Sequence, residues 1–490
     1  MTNVTAAKVP AFEIEEATIA ELQTAMDRQV LNAQTLVGAY RDRIEQMNDS
    51  LNAFICLNPK AEEAAARLDK ARANGDYKGL LHGIPLVVKD NIDTGDMPTT
   101  GGCKGLEGQQ PSDDAFAVAR LRAAGAIILG KANLHELALS GESVSGLGGQ
   151  ACNPYNLEYT PGGSSGGTAV AIAANLSTAG LGSDTLNSVR SPASACNIVG
   201  LRPTSGLVSR DGLMPVSLSQ DVIGPMARSV ADVATLLDAI ACDDPTDPMT
   251  ARSAGQIPRS YLTKLHVKGL KGKRLGVVAS LLTASDRTDS AVVDVTRAAL
   301  ADMEALGARC LKVPVAIDIE QMIAELSLVK WEMKLHFNHY LAEMGEAASV
   351  KNLDALLKTN QIHSSVKPLL AKLKLINTPL GDAEYWQRLY QRRVELRETL
   401  TAILKANQLD ALVYPHQRQK VARIGEKQAG RNGFLAAASG FPAIVVPAGF
   451  TPDDIPVGIE LMAQPFQEAQ LLQMAYAYEQ ATNWRQKPKL

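Results

Sequence analysis

The chain has 490 residues, a formal net charge of −3 and 46% hydrophobic residues, enough to build one large α/β domain or two. Its slight acidity excludes the basic stripe with which a nucleic-acid binder neutralises phosphates. Cys56, Cys103, Cys152, Cys196, Cys242 and Cys310 form no CxxC pair and show no metal-type spacing, so they read as reduced, mostly buried thiols of a cytoplasmic protein.

The first ten residues lack the apolar stretch of a signal peptide. Thr18-Ile-Ala-Glu21 is a capping box that opens an amphipathic helix. A second helix follows, with Leu36, Tyr40, Ile44 and Met47 at helical spacing and Arg41, Asp42 and Arg43 turned outward. The pattern then changes to short apolar runs bounded by glycine, at 84–88, 126–129 and 179–181, with a helical stretch at 115–124 between the first two. Strands alternating with helices predict a helix-flanked and substantially parallel sheet.

Residues 242–273 are rich in Asp, Pro and Gly without a clear period, which makes them the best candidate for a domain boundary. The basic run Lys268-Gly-Leu-Lys-Gly-Lys-Arg274 has no aromatic interleaving and reads as a solvated linker before a strand-like 275–279. From 320 to 404 the chain is mostly helical and charged on one face; 410–415 returns as a strand and 467–481 closes as a helix. Between these last two, 433–450 is uncharged and long enough to invite a membrane assignment. Gly440-Phe-Pro442 and Pro447 break any spanning helix, and 443–446 reads as a buried strand, so no membrane association is expected.

Three places can carry chemistry. Lys89 ends a buried-strand pattern, where desolvation lowers an ammonium pKa and can leave a neutral amine able to act as a base. The alternative is an ion pair with Asp90 or another carboxylate at the strand end. The loop Thr160-Pro-Gly-Gly-Ser-Ser-Gly-Gly-Thr168 offers Ser164 and Ser165 among small residues that let a carbonyl approach the backbone. It lacks the Gly-Lys-Ser/Thr of a phosphate cradle, and 125–132, which imitates that pattern, ends in alanine. Ser188, flanked by Asp184 and Arg190, is either a plain turn residue or a reactive hydroxyl beside backbone amides of 185–188 that can hold an oxyanion. No histidine lies between His135 and His266 to serve as a local base. His336 and His339 share a helix face without a third ligand, so no metal is expected.

Taken together, 83–91, 130–136, Asn153-Pro154, 160–168, 182–193, 200–204, 440–449 and 456–458 resemble the amidase signature family of Ser-cisSer-Lys hydrolases. The resemblance implies an α/β fold, a large twisted mixed β-sheet covered by helices on both faces. It implies one domain over 1–490: N-terminal helices at 15–75, a signature core at 80–240, a variable helical substrate-pocket region at about 320–404, and a C-terminal return to the core at 408–485. Carried over by position, Ser188 is the acyl-forming nucleophile, Ser164 the bridging serine after a cis peptide, and Lys89 the base. Backbone amides at Thr185, Leu186, Asn187 and Ser188 hold the oxyanion, Asp184 and Arg190 pair as scaffold, and no cofactor is required.

The activity so implied is cleavage of the C–N bond of amides through an acyl-enzyme on Ser188, with carbamates, aryl amides and esters open to the same machinery. The partner is a small-molecule amide or carbamate, and the chain is expected to act as a monomer or homodimer. The alternative is the glutaminase (amidase) subunit of a tRNA-dependent amidotransferase, against which stands Ser191 where that subfamily often has glutamine. A third reading is a catalytically inactive binding homologue. Two departures stand out: Leu186-Asn187 replaces a common pair of glycines, and Cys196-Asn197 replaces a common Cys-Gly. Asn187 can keep a left-handed backbone, whereas Leu186 either has an ordinary backbone or alters the oxyanion hole. The substrate pocket is expected from 140–149 and parts of 320–404, where Trp331, Phe337 and Tyr340 line a pocket for apolar groups or pack helices.

Overall fold

Along the central strands, successive side chains enter cores on opposite faces of one sheet. Leu86 and Val88 join one apolar cluster and Val87 another, and Ile444 and Val446 part from Val445 in the same way. Burial on both faces is why these strands read as unbroken apolar runs. The computed structural model describes residues 12–282, 289–313, 317–376 and 379–490; the N-terminal decapeptide read above for a leader lies outside them.

In chain order the strands are β1 (Phe54–Leu57), β2 (Pro85–Lys89), β3 (Ile127–Ala132), β4 (Val144–Ser145), β5 (Gly149–Gln150), β6 (Ala179–Asp184) and β7 (Val199–Arg202). They continue as β8 (Val222–Ala227), β9 (Arg274–Val278), β10 (Arg309–Val313), β11 (Ala411–Pro415), β12 (Ala443–Phe450) and β13 (Pro456–Met462). Eleven of them form one sheet in the order β1-β3-β2-β6-β8-β7-β12-β13-β11-β9-β10, while β4 and β5 make a small hairpin. Helices Ile19–Asp27, Ala33–Leu51, Phe116–Ala123, Val230–Ile240, Ser290–Ala305 and Glu468–Thr482 pack into the largest cluster. Helix Gly166–Ala173 fills the second core, and helices Arg393–Ala406 and Phe434–Ser439 fill a third. The Thr18–Glu21 capping box forms as read, with Thr18 Oγ1 accepting from Glu21 N and Glu21 Oε2 accepting from Thr18 N.

The sheet is mixed, and less parallel than the alternation of elements predicts. β3, β2 and β6 run parallel, as do β11, β9 and β10, but every pair from β6 through β8, β7, β12 and β13 to β11 is antiparallel. The cause is local. β8 follows β7, and β13 follows β12, through loops without a crossover helix, and such a direct return reverses strand direction. Residues 242–273 carry short 3₁₀ turns at Pro248–Ser253 and Leu262–Lys264 and then lead into β9 of the same sheet. The apolar stretch 433–450 divides into helix Phe434–Ser439 and β12, and no helix among the described residues is long and apolar enough to cross a membrane. The cysteines are free, but only Cys103 and Cys196 are buried; the other four are half-buried.

Candidate active site

The parallel pairing of β2 with β6 sets Val88 beside Leu181, so Lys89 and Ser183 leave the sheet at the same end. Open α/β sheets bind ligands outside the carboxyl ends of their strands. The loop carrying Ser164 enters the same place ahead of helix Gly166–Ala173, whose chain continues directly into β6. The Gly163–Ser164 peptide is cis, as the resemblance implies, and Ser164 O accepts from His135 N at 3.0 Å.

Lys89 is fully buried, and its Nζ lies 2.7 Å from Ser164 Oγ, 2.8 Å from Ser183 Oγ and 3.4 Å from Ser183 O. Asn91 closes the cluster, its amide donating to Ser183 Oγ at 3.1 Å. Burial pushes the Lys89 ammonium down to about 7, against the opposing pull of Asp184 and Asp221. A neutral amine has two N–H donors and one lone pair. The Ser183 carbonyl can only accept, so the donors are satisfied on Ser183 and the lone pair is left for the Ser164 hydroxyl. Asp90 does not pair with Lys89, which sets aside the ion-pair alternative; its carboxylate lies 3.6 Å from Lys131 Nζ and accepts from Thr100 and Gly102.

Ser188 sits in the turn after β6, half a turn ahead of helix Arg190–Ala195. Asp184 and Arg190 pair as expected, with Arg190 Nε 3.1 Å from Asp184 Oδ2 and Nη2 3.2 Å from Oδ1. Arg202 adds a second guanidinium at 2.8 Å from Asp184 Oδ1, and together the two cations hold the Asp184 carboxyl well below its usual range despite burial. Arg190 also reaches the Leu186 carbonyl at 2.9 Å and Glu460 at 2.5 Å. Glu460 in turn accepts from Tyr414 at 2.9 Å and meets His416 Nδ1 at 2.5 Å. The carbonyl side of the loop is therefore fixed from behind. Among the described residues the amides of Thr185, Leu186, Asn187 and Ser188 donate to no protein acceptor. The loop is tied to the other serine loop through Ser165 N, which donates to Ser188 O at 3.2 Å.

Neither Leu186 nor Asn187 has a positive φ, so the glycine-like backbone anticipated for Asn187 is not needed there. The left-handed residue is Asn197, at φ 53°, which explains the second departure: glycine or asparagine suits that position.

A cavity of about 580 Å³ opens over Ser188. Its apolar wall is built by Leu139, Leu186, Ile319, Ile323 and Phe434, and its polar end includes Gln428 and Arg431. Ser140 and Ile323 lie in the two segments expected to shape a pocket, but Trp331, Phe337 and Tyr340 do not line it. Phe337 and Tyr340 pack in an apolar cluster behind 103–139, with Tyr340 donating to Asp93 at 2.7 Å, and Trp331 packs on Tyr385. His336 accepts from Leu218 N, and His339 lies exposed beside Glu343. Among the described residues no group of three or more His, Cys, Asp or Glu side chains is placed to hold a metal ion.

Sequence reading missed Ser183, Arg202, Glu460 and His416. Only Ser183 left a local trace, being one residue from the end of a strand that runs beside β2; the others come from strands that meet the loop through the fold.

Comparison with known proteins follows the same lines. The family model described as Amidase matches residues 35–472. The A subunit of the glutamyl-tRNA(Gln) amidotransferase of Thermosynechococcus vestitus is 34% identical over 96% of this chain and 99% of its own. A probable amidase of Arabidopsis thaliana is 36% identical over 98% of this chain and 92% of its own. Among solved structures, the native peptide amidase of Stenotrophomonas maltophilia superposes with a TM-score of 0.89 at 38% identity, covering 97% of this chain and 98% of that one.

Proposed function

The chain belongs to the amidase family and is an amide-hydrolysing enzyme, and from that premise we propose that it works through an acyl-enzyme formed on Ser188. The observation that carries this reading is Lys89 Nζ at 2.7 Å from Ser164 Oγ, with the amine buried and its pKa brought down to about 7. Neutral Lys89 takes the proton of Ser164 while Ser164 takes that of Ser188, and Ser188 Oγ bonds to the substrate carbonyl carbon. The amides of 185–188 receive the oxyanion, each such donor contributing roughly 3–4 kcal/mol to the transition state. Collapse breaks the C–N bond; the proton held on Lys89 returns through Ser164 to the leaving nitrogen. Water, deprotonated along the same route, then attacks the acyl carbon and frees the acid and Ser188.

The apolar cavity wall supports organic amides with aliphatic or aromatic groups. Urethanes, aryl amides and esters present the same attackable carbonyl and belong to the proposed range. Fluorophosphonate labelling tests the assignment: the wild type is labelled at Ser188 and Ser188→Ala is not. An inert wild type, or labelling that persists in the variant, overturns it.

The second reading, a glutaminase component of a tRNA-dependent amidotransferase, is favoured by the similarity to subunits of such enzymes. Free glutamine hydrolysed only in the presence of partner subunits selects it; turnover of simple amides by the chain alone selects the first.

A further inference from the structure

Arg190 holds the loop carrying Ser188 at the Leu186 carbonyl, and the Thr185 end is held from another direction. The antiparallel pairing of β6 with β8 sets Asp184 opposite Val222, so Thr185 and Asp221 lie just beyond the same end of that ladder. Asp221 Oδ1 accepts from Thr185 Oγ1 at 2.6 Å, and Oδ2 accepts from the amides of Val216 and Ser217 at 2.9 and 2.8 Å. All three donors are neutral, and among the described residues this buried carboxylate forms no ion pair. Gln220 Nε2 donates to the Thr185 carbonyl at 3.3 Å, while its Oε1 accepts from Leu328 N at 2.7 Å and Arg393 Nη1 at 3.3 Å. A side-chain amide with a carbonyl on one side and two N–H donors on the other is satisfied in one orientation only.

Both donors to Gln220 come from the helical region. Leu328 follows helix Ile319–Leu326, which sets Ile319 and Ile323 on the cavity wall, and Arg393 opens helix Arg393–Ala406. Residues 217–219 are gripped from the same side. Buried Glu332 accepts from Ser217 Oγ and Ser219 Oγ at 2.6 Å each and from Ser219 N at 3.2 Å, and His336 accepts from Leu218 N at 3.1 Å. The segment 217–221 thus has the helical region on one side and Thr185 on the other. A buried anion without a counter-ion is costly, and what it supplies here is a charge-assisted bond that fixes the Thr185 hydroxyl. We propose that Gln220 and Asp221 are positioning residues, which hold Thr185 and through it aim the amides of 185–188, and that Gln220 ties this aim to the helix lining the cavity. The inference rests on the Ser188 reading and adds the residues that set its oxyanion donors.

The test compares wild type, Thr185→Val, Thr185→Ser and Gln220→Glu. Two rates are read at pH 8, where Asp221, pushed up to about 6 by burial, is ionised: ammonia release from hexanamide, and labelling by a fluorophosphonate, whose phosphoryl oxygen turns to the same amides. Turnover is expressed per site labelled at completion, so unfolded protein does not count. Thr185→Val removes the donor to Asp221 and is expected to lose about tenfold or more in kcat and in labelling rate, the range of one hydrogen bond to a charged group, with KM changed by less than about threefold. Thr185→Ser keeps the hydroxyl and stays within about threefold of wild type. Gln220→Glu keeps acceptors for Leu328 and Arg393 but turns an oxygen on the Thr185 carbonyl; it is expected to lose about tenfold in both rates, whereas a residue that only anchors the helical region would tolerate the change. Unchanged rates per labelled site in Thr185→Val or Gln220→Glu, equal losses in Thr185→Val and Thr185→Ser, or an effect on KM alone overturn the inference and leave Ser188 standing. A wild type that neither labels nor releases ammonia sinks the Ser188 reading, and this inference with it.

Discussion

Lys89 and Ser164, 75 residues apart in sequence, meet at 2.7 Å in a place that offers the lysine no carboxylate partner of its own. The pKa of about 7 follows from burial, so acylation is expected to rise with pH as the ammonium loses its proton, with a midpoint near 7. Stability follows the same sign. Between pH about 7 and the ordinary lysine value of 10.5 the unfolded chain binds a proton that the folded chain does not, so this group makes the fold more stable as pH rises through that window. Single-turnover acylation measured from pH 5 to 9 checks the first statement, and Lys89→Met is expected to lose about 10³-fold in kcat while gaining thermal stability near neutrality. A flat pH profile with a faithful Ser188 label would remove Lys89 as the base.

Asp184 neutralises two fully buried guanidiniums, Arg190 and Arg202. Asp184→Asn leaves Arg202 without its anion and Arg190 with Glu460 alone, and breaking such a buried pair costs about 3–5 kcal/mol. The variant is expected to melt well below the wild type in differential scanning fluorimetry and to lose activity with its fold. Since the Asp184 pKa is held low, its contribution is present above the ordinary carboxylate range and is lost only as pH falls through that range towards the depressed folded value. Melting temperatures of wild type and variant should therefore converge in acid; equal melting temperatures at neutral pH would contradict the role given to this pair.

The contrast between these two sites shows what was legible in the chain. Lys89, Ser164, Asp184, Ser188 and Arg190 lie in short segments whose glycines, serines and charges stand at fixed spacing, and the alternation of apolar runs with helical stretches was enough to place strands at β2, β3, β6, β11 and β12. Arg202 reaches Asp184 from β7 and Glu460 reaches Arg190 from β13, while Tyr414 in β11 and His416 just after it hold Glu460; a polar residue in a buried strand has no local mark that names its partner. Trp331, Phe337 and Tyr340 were open between pocket and packing because both uses put apolar residues on one helix face at the same spacing; burial inside the helical region decided for packing. The antiparallel middle of the sheet escaped for a related reason, since a loop that returns a strand beside its neighbour looks in sequence like any other loop.

Leu186 presents its side chain to the cavity wall and packs against the third core, with an ordinary backbone. Replacing Leu186 and Asn187 by glycine is therefore expected to raise KM for substrates with aliphatic or aromatic groups and to change kcat for a small amide such as acetamide by less than about threefold. Steady-state kinetics on one bulky and one small amide separate the two effects. A large gain in kcat on both substrates would mean instead that the side chains obstruct the oxyanion hole.

Gly433 shows how closely the support of the loop carrying Ser188 is built. A Cβ there would lie 2.7 Å from His416 Cε1, 2.8 Å from Asn187 Cβ and 3.1 Å from Arg190 Nη1. Three groups from separate elements converge on one bare Cα, and two of them also hold something else: Arg190 grips Glu460 and the Leu186 carbonyl, and His416 grips Glu460. Gly433→Ala must push at least one of them aside at a cost of about 1–3 kcal/mol. The displacement falls on the loop whose amides are proposed to receive the oxyanion, where small misplacement is expensive in rate. The variant is expected to fold, with a modestly lowered melting temperature, and to lose about 10²-fold in kcat with little change in KM. Parallel thermal melts and kinetics on one primary amide check this. A loss confined to stability, with kcat intact, would show that the Arg190–Glu460–His416 network holds the core and leaves the geometry of residues 186–188 to the loop itself.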